Sequence, residues 1–360
     1  MKVGRFQGLY KGALPDIRAI QILVTCVLAV GCRPSGLDDR GEHERVVVYT
    51  SVDRVFSEPV LQEAEKRLGI RVVGVYDTEE TKSTGLVNRL IARKDNPDGD
   101  IFWSGDPGRA AFLKLKGLTT PYDSTAASGI PSYFGDPEHH WTGFSARARV
   151  LLVNNNLVSH GTEPKSLFDL TKPEWSGKVA MANPLFGTTS FHIAALFESL
   201  GDKAAREWLA GLKSNKVQLV ASNGEVKRQV SYGQAAVGLA DTDDAAEAIG
   251  DGQPVRAVFL DQSEPTAKSL GTLVIPNTLS LINGGPNPEG ARKIFDFLLS
   301  VDVQKMLAQS CAQAPLTSGV ETPTNVLSLE EVVPMLVDYR AVAERLEALL
   351  PELKAWVDSP

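Results

Sequence analysis

The chain has 360 residues, of which 43% are hydrophobic, and this length allows two or three domains with a substantial buried core. Its formal net charge of −7 argues against a nucleic-acid-binding protein, because such a protein needs a basic face. The three cysteines, Cys26, Cys32 and Cys311, are not spaced as metal ligands. Cys26 and Cys32 fall in a predicted targeting segment, so no disulfide is expected in the mature protein.

The N-terminal stretch is typical of a bacterial targeting signal. Four basic residues come before or at the start of an apolar run over residues 19–31, which is too short to cross a bilayer. The run ends in small residues followed by Cys32, which resembles a lipobox. We therefore expect a signal peptide at residues 1–31, lipidation of Cys32 and a flexible tether over residues 32–44. An ordinary signal peptide with an incidental cysteine is the alternative.

Three strand and helix units follow the tether. Strands are predicted over residues 45–50, 70–76 and 100–103, and helices over residues 58–68, 84–93 and 108–116. This order indicates a parallel sheet with right-handed crossovers, whose strands end at one edge. Each strand ends in polar residues, which singly are helix caps and together form half of a binding cleft. These residues are Thr50, Ser51 and Asp53 after the first strand, Asp77, Thr78, Glu79 and Glu80 after the second, and Ser104 and Asp106 after the third.

Two arginines alternate along the next predicted strand. Arg147 and Arg149 point to one face of a segment that continues as a wholly apolar run, and an unpaired buried charge is costly. We expect one arginine to form a structural salt bridge and the other to meet an anion or ligand carboxylate.

A second series of strands and helices begins near residue 179. Thr188 and Thr189 precede a helix predicted over residues 191–200, where free backbone N–H groups favour an anionic group. Further helices are predicted over residues 203–213 and 226–232. Ser222 and Glu225 have the spacing of a capping box for the latter.

The acidic stretch from Asp241 to Asp244 is the central feature of the sequence. A buried strand is predicted over residues 235–239 and a helix over residues 245–249, so Asp241, Thr242, Asp243 and Asp244 fall in the turn between them. In an open α/β sheet such a turn lies where ligands bind. Asp241 or Thr242 alone could cap the helix, but three carboxylates in one turn repel each other unless a cation, donor or proton offsets them.

The remaining elements suggest how the chain is divided. A strand is predicted over residues 272–282, with helices over 287–299, 302–309, 328–336 and 338–354. We predict an α/β protein of two lobes, each with a mainly parallel sheet flanked by helices and joined by two hinge crossings. Lobe 1 comprises residues 45–153 and 263–360, and lobe 2 comprises residues 154–262.

Several motifs in order resemble the periplasmic substrate-binding proteins of ABC importers, in particular the ferric-iron-binding type. The resemblance covers about residues 45–316 and implies a two-lobed protein that closes over a solute and delivers it to a permease. The motifs are Val-Val-Tyr-Thr-Ser-Val-Asp from Val47, Asp-Ile-Phe-Trp-Ser from Asp100, Trp-Thr-Gly-Phe-Ser-Ala-Arg-Ala-Arg-Val from Trp141, Pro-Glu-Trp-Ser-Gly-Lys from Pro173 and Gln-Ala-Ala-Val-Gly-Leu-Ala-Asp from Gln234.

The same resemblance implies a different set of ligands for this chain. Where the ferric-binding family has two consecutive tyrosines, this sequence has Asp243 and Asp244, and Ala146 stands where a further tyrosine often precedes the Arg-x-Arg pair. The early histidine or tyrosine position corresponds to Asp53 or Arg54. We expect iron(III) or a divalent cation on Asp53, Glu80 or Glu79, Asp243 and Asp244.

An organic phosphate or aminophosphonate is the alternative solute. Its ammonium group would meet the acidic turn, and Arg147, Thr188 and Thr189 would hold its anionic end. We favour the cation over the phosphate or phosphonate as the solute. It would be bound as cargo rather than as a cofactor.

The predicted function is therefore a lipid-anchored, monomeric solute-binding protein of the cell envelope, with an ABC permease and its ATPase as partners. An enzyme or a sensor subunit on the same fold is less favoured. No Gly-x-Ser-x-Gly elbow and no Walker loop occur in the sequence.

Overall fold

A computed structural model describes residues 45–76, 84–263 and 270–359. The predicted signal peptide, Cys32, the tether, Glu79 and Glu80 lie outside these ranges. The strands are β1 (Arg45–Thr50), β2 (Arg71–Tyr76), β3 (Ile101–Ser104), β4 (Thr119–Thr120), β5 (Thr142–Asn154), β6 (Val179–Ala182), β7 (Gln218–Val220), β8 (Val237–Asp241), β9 (Val255–Val258), β10 (Val274–Ile282) and β11 (Ala314–Pro315). The helices are α1 (Arg54–Leu68), α2 (Thr84–Ala92), α3 (Pro107–Leu115), α4 (Gly187–Leu200), α5 (Asp202–Ser214), α6 (Asn223–Ser231), α7 (Thr242–Gly250), α8 (Pro288–Leu299), α9 (Val301–Cys311) and α10 (Tyr339–Asp358).

The strands join into one mixed sheet in the order β2-β1-β3-β10-β5-β8-β6-β7. Pairing is parallel among β2, β1 and β3 at one end and among β8, β6 and β7 at the other. The pairs of β10 with β3 and β5, and of β5 with β8, are antiparallel. The prediction of mainly parallel sheets thus describes the two ends, while the middle is antiparallel. Strands such as β1, in which Val46 and Tyr49 are fully buried, read as continuous apolar runs because both faces are covered.

The long strand β5 belongs to both ends of the sheet. Its residues 142–148 pair with β10, and its residues 149–153 pair with β8. We call the strands on the β10 side the first half and those on the β8 side the second half. The predicted lobe boundaries and hinge crossings stay predictions; the boundary predicted between residues 153 and 154 falls at the end of β5.

Most predicted elements are present, but several helices begin earlier than expected. Helices α1, α4, α6 and α7 start three or four residues before the predicted points, because polar N-terminal residues belong to their first turns. Strand β8 likewise ends two residues later, at Asp241, so the predicted turn between strand and helix does not exist. Thr242, Asp243 and Asp244 form the first turn of α7.

The helix predicted over residues 328–336 is wrong. This stretch consists of turns and extended backbone, with one parallel bridge between Thr272 and Pro334. Pro334 cannot donate a helical hydrogen bond and biases Val333 away from helical geometry, so an apolar periodicity alone was misleading here.

The C-terminal helix α10 packs against both α3 of the first half and α4 of the second half. Near its start, the ring of Tyr339 stacks on Phe191 and meets Trp141 edge-on, and its hydroxyl donates to the Val274 carbonyl over 2.9 Å. Farther along, Glu352 pairs with Arg206 of α5 over 2.7 Å. Among the described residues, no helix has the length and apolar character needed to cross a membrane.

Candidate functional site

Arg149 lies at the centre of a buried polar network in the second half. Its side chain is 2% exposed, and its Nη1 is 2.5 Å from Asp241 Oδ1. Strand register explains this pair, because Arg149 and Asp241 are cross-strand partners on β5 and β8. Nη1 also donates to the Thr188 hydroxyl over 3.1 Å and to Asn223 Oδ1 over 3.4 Å, and Nη2 donates to the Thr189 hydroxyl over 3.4 Å.

Asp241 is fully engaged by its neighbours. Its Oδ2 accepts from the Thr188 hydroxyl over 2.7 Å and from Asn223 Nδ2 over 3.0 Å. Because Thr188 and Asn223 lie in the first turns of α4 and α6, the network joins three helix N-termini, including that of α7. The expected structural salt bridge of one arginine is therefore that of Arg149.

Arg147 has fewer partners. Its Nη2 donates to the Gly105 carbonyl over 3.0 Å, and its Nε is 3.5 Å from Asp241 Oδ2. This Nε is buried and has no hydrogen-bond partner within the part of the chain that the structure describes. Burial lowers the pKa of Arg147, but the negative charges of Asp243, Asp241 and neighbouring carboxylates outweigh burial and raise it overall. Arg147 is thus held as a cation next to the acidic stretch.

The ends of β1 and β3 meet Arg147. Ser51 Oγ accepts from the Gly105 N–H over 3.0 Å, so the β1 and β3 turns are joined next to the Arg147 contact. The Thr50 hydroxyl is fully buried and accepts from the Val52 N–H over 3.0 Å. The Ser104 hydroxyl is also buried and accepts from the Asp106 N–H over 3.2 Å. These two hydroxyls shape their turns, whereas Ser51 lies at the edge of the site.

Asp241, Asp243 and Asp244 form the acidic cluster. Each carboxylate offers an oxygen within 4.8 Å of the other two. The Asp244 N–H donates to Asp243 Oδ1 over 3.1 Å, and the Asp241 N–H donates to Asp244 Oδ2 over 3.4 Å. The Thr242 hydroxyl is buried and accepts from the Ala148 N–H over 3.1 Å, so its role is to tie α7 to β5.

Burial and the charges of neighbouring carboxylates make Asp243 and Asp244 hard to ionise. Burial raises the pKa of Asp244 to about 8, with the charges of Asp243 and Asp241 adding to the effect and Lys227 opposing it. Burial also raises the pKa of Asp243, although Arg147 opposes this. The N-terminal turn of a helix favours negative charge, but that effect is too small to support three carboxylates. A bound cation or a proton satisfies the cluster.

The remaining predicted site residues are Asp53, Glu79 and Glu80. Asp53 is exposed at the N-terminus of α1, and its backbone carbonyl accepts from the Phe56 and Ser57 N–H groups. Glu79 and Glu80 lie outside the described residues. The structure therefore brings together Ser51, Arg147, Thr188, Thr189, Asp241, Asp243 and Asp244.

Sequence reasoning overlooked two residues near the site, Asn223 and Asn277. Asn223 lies between the two residues of the predicted capping box, Ser222 and Glu225. Ser222 does cap α6, accepting from the Glu225 N–H over 3.2 Å, and this leaves Asn223 free to bind Asp241. Asp106, one of the predicted strand-end residues, caps α3 and contributes negative charge near Arg147. Asn277 on β10 approaches the opposite side of Gly105, and only pairing of β10 with β5 reveals it.

The comparison with known families bears directly on this site. Residues 96–337 match the family described as bacterial extracellular solute-binding protein. This chain belongs to that family. The solute-binding protein is 25% identical over 299 residues to iron uptake protein A1 of a Synechocystis strain, a match that covers 82% of each chain.

Two solved structures share its fold. Apo ferric ion-binding protein A of Pasteurella haemolytica matches with a TM-score of 0.77 and 21% identity, covering 87% of this chain and 98% of that one. The periplasmic binding protein AfuA of Actinobacillus pleuropneumoniae, solved with exogenous fructose-6-phosphate, matches with a TM-score of 0.68, 23% identity and the same coverage. The predicted two-lobed α/β fold and the likeness to ferric-binding proteins are confirmed.

The family is one of binding proteins rather than enzymes, and the site of this solute-binding protein has two chemical sides. Asp243 and Asp244 present hard oxygen ligands, while Arg147 and the first turn of α4 present donors. A hard cation suits the first side and an anionic group suits the second.

Proposed function

We propose that this protein is the solute-binding component of an ABC importer and that its cargo is a hard metal cation, iron(III) or a divalent ion. The observation that carries the proposal is the convergence of carboxylate oxygens from Asp241, Asp243 and Asp244 within 4.8 Å. The similarity to an iron uptake protein supports it.

The contacts of the three carboxylates give them different roles in the acidic cluster. Asp241 already accepts hydrogen bonds from Thr188 and Asn223 and pairs with Arg149, so its charge is largely offset. Asp243 and Asp244 have no basic residue in direct contact among the described residues, and they offer oxygens to a cation. Asp53 and Glu80 remain proposed as further ligands from the first half.

The test is ligand-dependent melting of the metal-free protein. A cation at about a hundred times its dissociation constant stabilises the folded state by roughly 2.7 kcal/mol, because it binds the native state alone. We expect one member of a panel of iron(III) with carbonate or citrate, calcium, magnesium and manganese to raise the melting temperature clearly.

The decisive variant replaces both Asp243 and Asp244 by asparagine, which keeps their shape and removes their charge. The cation-dependent shift should disappear. Asp251→Asn is the matched control, because Asp251 is an exposed residue just past the end of α7. Retention of the full shift by the double variant would refute the proposed ligands.

A phosphate ester or phosphonate is the second candidate. It is favoured by the unpaired, buried Nε of Arg147 beside the N-terminal turn of α4, which presents donors to an anion. The structural likeness to a protein solved with fructose-6-phosphate also supports it. A melting shift produced by phosphonates or sugar phosphates, with none from the cations, would replace the cation by this class of solute.

We further propose that the mature protein is a monomer held at the periplasmic face of a membrane by lipid on Cys32, where it meets the permease and its ATPase. Metabolic labelling with a fatty acid, followed by fractionation, tests the anchor. Cys32→Ala should lose the label and move into the soluble fraction. Unchanged membrane association of an unlabelled protein would favour an ordinary signal peptide.

A further inference from the structure

The two arginines of the site belong to different halves of the sheet. Arg147 lies opposite Ile275 of β10, whereas Arg149 lies opposite Asp241 of β8. Cross-strand pairing therefore holds Arg149 beside Asp241. The approach of Arg147 to Asp241 has no such support, because the two residues are not paired in register.

Arg147 also has capacity for another hydrogen bond. Its Nη2 donates to the Gly105 carbonyl, but no described residue offers its buried Nε an acceptor at hydrogen-bonding geometry, and the 3.5 Å approach to Asp241 Oδ2 is long. A buried donor without a partner carries a desolvation penalty that native structures rarely leave unused.

An equally unpaired acceptor lies on the first half. Asn277 of β10 is 1% exposed, and its Oδ1 has no hydrogen-bond partner among residues 45–76, 84–263 and 270–359. Its amide is oriented by neighbours, because Nδ2 donates to the Ser145 hydroxyl over 2.8 Å and to Gln313 Oε1. Ser145 also donates to Gln313 Oε1 over 3.0 Å, so a buried network keeps the oxygen of Asn277 on the side of Gly105.

Gly105 lies between the Nη2 end of the Arg147 guanidinium and Asn277 Oδ1 without filling the space between them. A Cβ placed on Gly105 would lie 3.7 Å from Arg147 Nη2, 3.8 Å from Asn277 Oδ1 and 3.8 Å from Ser51 Oγ. The three polar atoms thus surround one small volume that only a glycine leaves open. A methyl group there would make ordinary van der Waals contacts.

We propose that Asn277 is a positioning residue for cation capture. When the cation occupies the carboxylates of the acidic cluster, the guanidinium of Arg147 moves away from Asp241 and donates to Asn277 Oδ1 through the space beside Gly105. This inference rests on the proposed cation function. The physical cause is charge. A cation bound by Asp243 and Asp244 offsets the negative charge that holds Arg147 and repels its guanidinium, and a neutral acceptor in the first half receives it.

Asp106 is the competing acceptor, because its charge also attracts Arg147. Its Oδ1, however, already accepts from the Arg109 N–H over 3.1 Å and caps α3. Asn277 Oδ1 accepts no hydrogen bond from any described residue. The geometry therefore favours Asn277, and Asp106 serves as a comparison in the experiment.

The experiment observes Arg147 directly. Full-length protein labelled with 15N-arginine is titrated with gallium(III) citrate, a diamagnetic stand-in for iron(III), and with citrate alone. The Nε–H resonance of Arg147 is assigned by its loss in Arg147→Lys. In the wild-type protein we expect gallium, but not citrate alone, to shift this resonance.

Three variants then separate positioning from structure. Asn277→Leu removes the acceptor, and Gly105→Ala blocks the space while remaining sterically acceptable. Each should abolish most of the Arg147 shift and weaken gallium binding roughly tenfold or more, as expected for a lost hydrogen bond to a charged group. Gly135→Ala is the matched control, because its Cβ would meet only the Ser132 and Trp141 carbonyls at 3.6 Å, and it should change affinity less than about twofold.

The outcomes distinguish this inference from the proposed function. If wild-type protein binds gallium but the resonance moves equally in Asn277→Leu and Gly105→Ala, the inference is wrong and the cation function stands. Loss of the shift in Asp106→Asn alone would assign the role to Asp106 and overturn it too. If the wild-type protein binds no cation by calorimetry, both proposals fail. Should Asn277→Leu not fold, Gly105→Ala alone decides.

Discussion

Arg149 and Arg147 are two residues apart on one strand, yet their surroundings differ. The guanidinium of Arg149 donates to Asp241, Thr188, Thr189 and Asn223, and sheet register fixes its carboxylate partner. Arg147 has one carbonyl partner and a 3.5 Å approach to Asp241 that register does not support. The Nε of each arginine is buried without a hydrogen-bond partner among the described residues, so the two differ in the number of their other partners. A guanidinium with many partners held in register is fixed, whereas one with few partners can rearrange around a ligand. We therefore assign stability to the first and solute recognition to the second.

The largest effect is expected from removing Asp241. Asp241→Ala leaves Arg149 buried without its charge partner, and breaking a buried pair in this way costs about 3–5 kcal/mol in the free energy of unfolding. Urea denaturation measures this loss, with Asp251→Ala as an exposed control that should change stability by less than about 0.5 kcal/mol. A loss below about 1 kcal/mol for Asp241→Ala would mean that the network does not support the fold.

Substitution of either arginine should lower the free energy of unfolding less than Asp241→Ala does, with a clear difference between the two arginines. Arg149→Met leaves a buried carboxylate without its partner and is expected to cost about 2–4 kcal/mol in the free energy of unfolding. Arg147→Met removes one hydrogen bond and a long, 3.5 Å ion pair and should cost about 1 kcal/mol or less. Solute affinity should respond in the opposite order when both are measured near 20 °C, where the variants remain folded. Equal losses of stability would remove the distinction between the two arginines.

The pH dependence of stability provides a third test. Asp244, with its pKa raised to about 8 by burial, binds its proton more tightly in the folded state than in the unfolded state, where an aspartate has a pKa of about 3.9. The folded metal-free protein therefore holds more protons between about pH 4 and pH 8, and its stability falls as pH rises through that window. The slope from this one group is at most about 1.4 kcal/mol per pH unit.

Asp244→Asn should flatten that slope and make the metal-free protein more stable at pH 8 than the unsubstituted protein. Chemical denaturation at several pH values measures both effects. An unchanged slope in the variant would show that Asp244 titrates normally and that the cluster is not strained by its own charge.

The smallest effects should come from the two threonines of α4. Thr188 donates to Asp241 over 2.7 Å, while the Thr189 contacts with Arg149 and Asn223 are 3.4 Å and 3.3 Å long. Thr188→Val should therefore cost about 1–2 kcal/mol and Thr189→Val less than about 0.5 kcal/mol by thermal denaturation. The reverse order would indicate that Thr189, not Thr188, holds the network together.

Much of this arrangement can be predicted from the sequence. The features that cannot be predicted share one cause. Apolar runs and polar strand ends predict the strands, and the spacing of Arg147 and Arg149 predicts their shared face. The sequence does not predict which arginine binds Asp241 in register. That choice depends on antiparallel pairing between β5 and β8, which are some ninety residues apart.

The roles of Asn223 and Asn277 were missed for the same reason. Each is an ordinary polar residue in its own segment, and each gains a partner only through a long-range contact. The acidic stretch was recognised, but it was placed in a turn. Its polar residues in fact begin α7 directly from the end of β8, which fixes the carboxylates on a rigid element rather than on a loop.

Helix α10 has a practical consequence for anyone trimming this protein. The span shared with the family stops at residue 337, just before this helix begins, and would look like a natural boundary for a shortened version. Cutting there would delete Tyr339, Val342 and Leu353, all of which are buried. The faces of α3 and α4 that α10 covers would then be an exposed apolar surface. We expect the shortened chain to aggregate instead of serving as a minimal binding unit.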